Sequence, residues 1–210
     1  MDEALLVAIS VGYILANAAD QYQIVARLNG ALAGKVASGY QLAMEVMLIN
    51  RVGAAFYFLS TALFIEKDGH LGKYISIIGL SLFLVTVMNA FFLGFVRKHI
   101  QVKNKLIFRQ YLSLGIFSIT AFMFGHAGLT VPYIAGFIWS DYRLTFANSG
   151  FVLSSVFTLI TTLVIDKKLS KEIDNKSEVL SSLVYAIIVG RVFGGLILIL
   201  ALMWFQLTLN

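Results

Sequence analysis

The chain contains no cysteine, a single proline and three histidines. Without thiols it has no disulfides, thiolate metal sites or cysteine nucleophile. Charge is also scarce: Asp, Glu, Lys and Arg make up 13% of the 210 residues, against about one quarter in soluble domains. The HExxH zinc helix, the GxSxG elbow and the GxxxxGKS/T phosphate loop are all absent, so neither those hydrolase chemistries nor ATP drive is encoded here. Nor is there the clustered basic and histidine pattern of a lipid phosphatase. The chain is not expected to be an enzyme or to carry a metal or cofactor. Its net charge of +5 is modest and does not mark a nucleic-acid partner.

Apolar residues account for 59% of the chain, and the mean hydropathy is +0.86. That composition predicts an all-α integral membrane protein, a single polytopic domain over residues 1–210. Six spans can be drawn: Leu5–Arg27, Val36–Ile65, Tyr74–Val96, Tyr111–Trp139, Phe146–Ile165 and Val179–Phe205. Each reaches the roughly 20 residues that a bilayer crossing needs. Asp2 and Glu3 open the chain without a basic segment, and no small-residue cleavage site follows. The first span is therefore expected to be retained.

The loops alternate in charge. Arg27, Lys35, Arg97, Lys98, Lys103, Lys105, Arg109, Lys167, Lys168, Lys171 and Lys176 fall in the odd loops, and only Lys67, Lys73 and Arg143 in the even ones. By the positive-inside rule both termini lie outside: a bundle of about six helices, N-out and C-out. The basic run around residues 97–110 reads as topology and lipid-surface contact. Pro132, in a long fourth span with Gly125, His126 and Gly128, predicts a kink or break there. His126 reads as a packing histidine, and Glu66, Asp68 and His70 as a solvated turn around Gly69.

A few polar residues lie too deep for this pattern. Centred spans put Arg51 and Arg191 near the midplane, with Asp20 and Glu45 about 6–8 Å to the cytoplasmic side and Asn89 at a similar inner depth. An ionisable group at the centre of a membrane helix costs about 2.5–3.5 kcal/mol, so each needs a partner, a wet cavity or a ligand. Asp20 and Arg27, seven residues apart, share a helix face with Asn17. Each midplane arginine is followed three and four residues on by small residues: Ala54 and Ala55, then Gly194 and Gly195. Such a face either admits a neighbouring helix or leaves room for a ligand. Three readings follow: buried ion pairs that fix the bundle, a cavity whose arginines take a phosphate, or proton coupling through the two acids.

Two stretches carry a family likeness. The first holds Asp20, then Arg27-Leu28-Asn29-Gly30, Lys35 and Leu48-Ile49-Asn50-Arg51. The second holds Thr161-Thr162-Leu163-Val164-Ile165-Asp166, Asp174 and Gly190-Arg191-Val192-Phe193-Gly194. In both the chain resembles the Amj family of lipid II flippases, the alternate to the MurJ flippase. The likeness covers about the first 65 and last 65 residues. It departs from the family pattern at Asn50, where that pattern has Ser, and at Lys167, where it has Pro. The resemblance implies translocation of lipid II, the polyprenyl-diphosphate-linked peptidoglycan precursor, across a bacterial cytoplasmic (inner) membrane. Under that reading Arg51 and Arg191 bind the diphosphate, Arg27 is an entrance contact, and Asp20 and Glu45 neutralise the arginines in the empty site. Membrane lipids are the other expected partners, and so small an enclosure is compatible with a homodimer. A small proton-coupled transporter and an intramembrane enzyme acting on a polyprenyl phosphate remain the alternatives.

Overall fold

The computed structural model describes residues 2–67, 69–97, 105–175 and 179–209. Asp68, Lys98, Lys103 and Lys176 lie outside the described residues. The described chain is helical almost throughout: α1 (Asp2–Leu32), α2 (Val36–Glu66), α3 (Leu71–Arg97), α4 (Lys105–Ile138), α5 (Arg143–Ile160), α6 (Lys167–Asp174) and α7 (Leu180–Leu209). α5 runs into α6 through a π-helical segment, Thr161–Asp166, so the seven helices form six rods. The all-α bundle expected from composition is what the chain forms. Five of the rods are long and apolar enough to cross a membrane. The sixth, α5–α6, is two helices joined by the π segment and holds the serine- and threonine-rich stretch.

The surface is far more apolar than that of a soluble protein, and some polar side chains are buried within the apolar core. Phe91, Val52, Leu59, Trp204 and Leu207 are exposed, while Asn89, Thr61, Ser118 and Arg191 are buried. Apolar side chains outside and polar ones inside suit a hydrocarbon surround, where a polar atom must find its partner within the protein.

Small residues set the helix spacing. A Cβ added to Gly53 would lie 2.7 Å from the Ala16 nitrogen, and one on Gly12 2.6 Å from the Tyr57 nitrogen. α1 and α2 therefore touch backbone to backbone along much of their length. Their connection closes with a Schellman turn: Lys35 N–H donates to the Gly30 carbonyl, Gly34 N–H to that of Ala31, and Gly34 has φ +68°. Only glycine takes that conformation without strain. Gly190 and Gly195 likewise bring α7 against Gly115 of α4 and Thr86 of α3. Of the two uses open to the small residues after Arg191, helix approach is the one realised.

Of the kink or break expected at Pro132, the break does not occur, for α4 is continuous through it. Proline leaves the carbonyl four residues earlier, that of Gly128, without its helical donor. That oxygen faces Gly150 of α5, where an added Cβ would lie 2.7 Å from it. The interruption falls instead in the π segment that follows α5. Such segments are rare and frequently mark functional sites.

The rods pack in the order α2, α1, α3, α7, α4, α5. α2 and α5 stand at the two ends of this series and share no extensive contact. The bundle is thus an open ring. At one end of the gap, the Tyr40 hydroxyl meets that of Ser170 at 2.9 Å, and Arg27 bonds Asp166 at 2.8 Å. These contacts tie the α1–α2 turn to the α5–α6 rod.

Candidate functional site: a polar cavity at the gap in the ring

A cavity of about 400 Å³ opens where the ring is incomplete. α1 contributes Ala16, Asn17 and Asp20, and α2 contributes Asn50, Ala54 and Phe58. The far side is built by His126, Gly128 and Tyr133 of α4 with Ser154, Phe157 and Thr158 of α5. Asn17, Asp20 and the buried α1–α2 seam share one stretch of helix, so the close packing that joins the two helices also orients the polar wall. The Asn17 amide donates to the Tyr13 carbonyl and the Asn50 amide to the Ala16 carbonyl, both at 2.7 Å. Each amide spends one N–H on backbone and keeps the other together with its oxygen. Such a volume, walled by aromatic groups and a few fixed polar ones, is typical of small-ligand sites.

Behind this wall lies a balanced set of charges. Arg191 is 2% exposed and donates to Asp20 at 2.6 Å. Arg27 donates to Asp166 and lies 5.3 Å from the Tyr40 ring centre. Asp166 also senses Asp20 and Arg191 electrostatically, so two arginines and two aspartates form one neutral cluster. Charges so placed are tolerable only when each is paired. The expected depth offset between Asp20 and Arg191 is bridged by the length of the arginine side chain.

The structure brings Asp20 and Arg191 together and adds Arg27 through Asp166, but it does not place Arg51 or Glu45 in that cluster. Both side chains are exposed. Glu45 accepts from Gln41 on its own helix at 3.1 Å and neutralises neither arginine. The reason is angular. Successive helix residues diverge by about 100°, and α2 turns Asn50 toward α1, which carries Arg51 round the flank. Arg51 is nevertheless not remote from the site. Ala54 and Phe58, three and seven residues on, lie on the same helix stripe and line the cavity. Arg51 thus stands at the α2 side of the mouth and makes no ion pair or hydrogen bond among the described residues.

Two contributors were not among the site residues expected from the sequence. Asp166 entered there only within the family likeness, although an acid at the end of a span was a signal of pairing. His126 is buried at 3% exposure, bonded to the Tyr13 hydroxyl through Nδ1, with Nε2 left without a partner. It is a packing histidine on one side only. Asn89 is wholly buried but does not line the cavity, and neither of its amide atoms has a partner. The basic run around residues 97–110 falls largely outside the described residues.

Fold and site together define a helical protein of transmembrane character with a laterally open polar cavity. In comparisons with known proteins the chain matches no family model, no curated protein and no solved structure.

Proposed function

We propose that this protein translocates a lipid with a phosphate-bearing head group, and that the lipid is the peptidoglycan precursor lipid II, in a bacterial cytoplasmic membrane. The observation that carries the reading is Arg51, exposed, without a partner among the described residues, and on the same helix stripe as Ala54 and Phe58, which line a polar cavity between apolar helices. A polyprenyl-linked substrate needs such an arrangement, because its tail stays in hydrocarbon while its head crosses. The gap between α2 and α5 serves the tail and the cavity serves the head. A guanidinium with no partner is the natural first contact for a diphosphate, which it can grip with two parallel hydrogen bonds. Arg191 and Arg27 play a different part from the one their sequence positions suggest. Held by Asp20 and Asp166, they form pairs of no net charge, and a diphosphate would compete with the carboxylates for them.

The test is complementation in bacterial cells depleted of their lipid II flippase. Wild type is expected to restore growth, Arg51→Ala to fail at equal membrane abundance, and Arg51→Lys to restore it partly. Full rescue by Arg51→Ala would remove the arginine from the mechanism. No rescue by abundant, folded wild type would remove lipid II as the substrate.

One observation favours a second reading: the acid Asp20 lines the cavity itself. A proton-coupled transporter would use it, and its transport would persist with a soluble substrate and without Arg51.

A further inference from the structure

The cavity wall has a chemical character of its own, distinct from that of the arginine at its mouth. The Asn17 and Asn50 amide nitrogens each give one N–H to a carbonyl, so each side chain still offers one N–H and an oxygen. Asp20 gives Oδ2 to Arg191 and keeps Oδ1. A neutral hydroxyl or amide group, which donates and accepts at once, suits such a wall, whereas a phosphate would meet a carboxylate oxygen of its own charge.

His126 supplies a further donor. Its Nδ1 meets the Tyr13 hydroxyl. If Nδ1–H donated to that oxygen, the tyrosine O–H would be left as a buried donor without an acceptor. The consistent assignment has Tyr13 donating to Nδ1, so that Nε2 carries the hydrogen. That Nε2–H is buried without a partner, a state that costs about 1–3 kcal/mol unless a ligand fills it. The ring borders two cavities. The second, about 250 Å³, is apolar: its Thr130 hydroxyl is already bonded to the His126 carbonyl. Only the first cavity can bring His126 a polar partner.

We infer that the inner part of the cavity, read by His126 together with Asn17, Asn50 and Asp20, binds an uncharged group rich in hydroxyl or amide N–H donors, while the phosphate stays outside at Arg51. Aromatic side chains around it, Tyr133 and Phe157 among them, accept the C–H faces of a saturated ring. This rests on the translocation reading for its setting but concerns a different part of the head group and a different wall.

The experiment uses the full chain in lipid nanodiscs with 15N-labelled histidine. His70 and His99 are the only other histidines, and His126→Gln assigns the resonance. Hexyl glucoside is the neutral, donor-rich probe and hexyl phosphate the anionic one. Hexyl glucoside is expected to shift His126 Nε2 saturably, whether or not Arg51 is replaced by Gln. His126→Gln should weaken its binding roughly tenfold, as for one lost hydrogen bond. Hexyl phosphate should bind in an Arg51-dependent way and leave His126 Nε2 unmoved. An unmoved resonance with glucoside, or an equal shift with phosphate, overturns the inference even while Arg51-dependent phosphate binding stands. Phosphate binding that ignores Arg51 would instead sink the translocation reading and leave the His126 result intact.

Discussion

Arg191 and Arg51 look alike in the sequence, yet their environments demand opposite behaviour. Arg191 is buried against Asp20, and removing one member of a buried pair strands the other, at a cost of about 3–5 kcal/mol. Arg191→Ala is therefore expected to lower thermal stability in detergent before any assay of function, and Asp20→Asn in the same chain should recover part of it. Equal melting of wild type and Arg191→Ala would mean that the pair is not a structural contact. Arg51→Ala should melt with wild type, because its side chain is exposed and unbonded among the described residues. Asn89 supplies a third case. Both its amide atoms are buried without partners, and each such atom costs about 1–3 kcal/mol. Asn89→Leu is expected to hold or raise the melting temperature; a fall of several degrees would reveal an amide partner.

Among the elements, the α1–α2 hairpin is the one that leaves no slack. Gly39 lies against Gly30, with an added Cβ 2.8 Å from the Gly30 Cα and 2.9 Å from the Ala26 carbonyl oxygen. Gly39→Val must drive the helices apart, and loss of folded protein on size exclusion should exceed that for Gly79→Val, whose site has open space. The link between this hairpin and the α5–α6 rod is of a different kind, with Arg27–Asp166 and Tyr40–Ser170 set beside apolar packing of Leu28 with Leu169 and Ile173. Polar contacts of this number can part and re-form. Asp166→Asn with Tyr40→Phe is expected to loosen that end, seen as faster hydrogen exchange in α6 with α3 unchanged. Unaltered exchange in α6 would show that the packing of Leu169 and Ile173 holds the rod by itself.

At the scale of the whole molecule the decisive feature is the incomplete ring. If substrate passes through the gap, bridging α2 to α5 must stop it. The native chain has no cysteine, so Phe58→Cys with Thr158→Cys, one on each side of the cavity, can be joined by a bifunctional thiol reagent without side reactions. Cross-linking is expected to abolish lipid translocation in liposomes, and a cleavable linker to restore it on reduction. Transport at full rate through the cross-linked protein would place the route elsewhere. Much of this architecture was legible beforehand. The long apolar runs show directly as helices, and of the four ionisable residues expected deep, Asp20 and Arg191 pair in the interior while Glu45 and Arg51 are exposed. The pairings were not legible. Asp20 and Arg191 are 171 positions apart, Arg27 and Asp166 139, and no local pattern couples residues at such separations. The missing break at Pro132 has the same origin, since a glycine on another helix accommodates the proline.

The amino-acid order alone settled that the chain is helical, that its long helices are apolar enough to cross a membrane and which polar side chains sit on them, because hydropathy and helix period are local properties. Which of those side chains meet, that Arg51 stands at a mouth and not in a core, and that His126 keeps one nitrogen open were decided only by packing. The azimuth of each helix is set by contacts between backbones, such as Gly53 on Ala16, and a rotation of about 100° is all that separates Asn50, turned inward, from the arginine beside it.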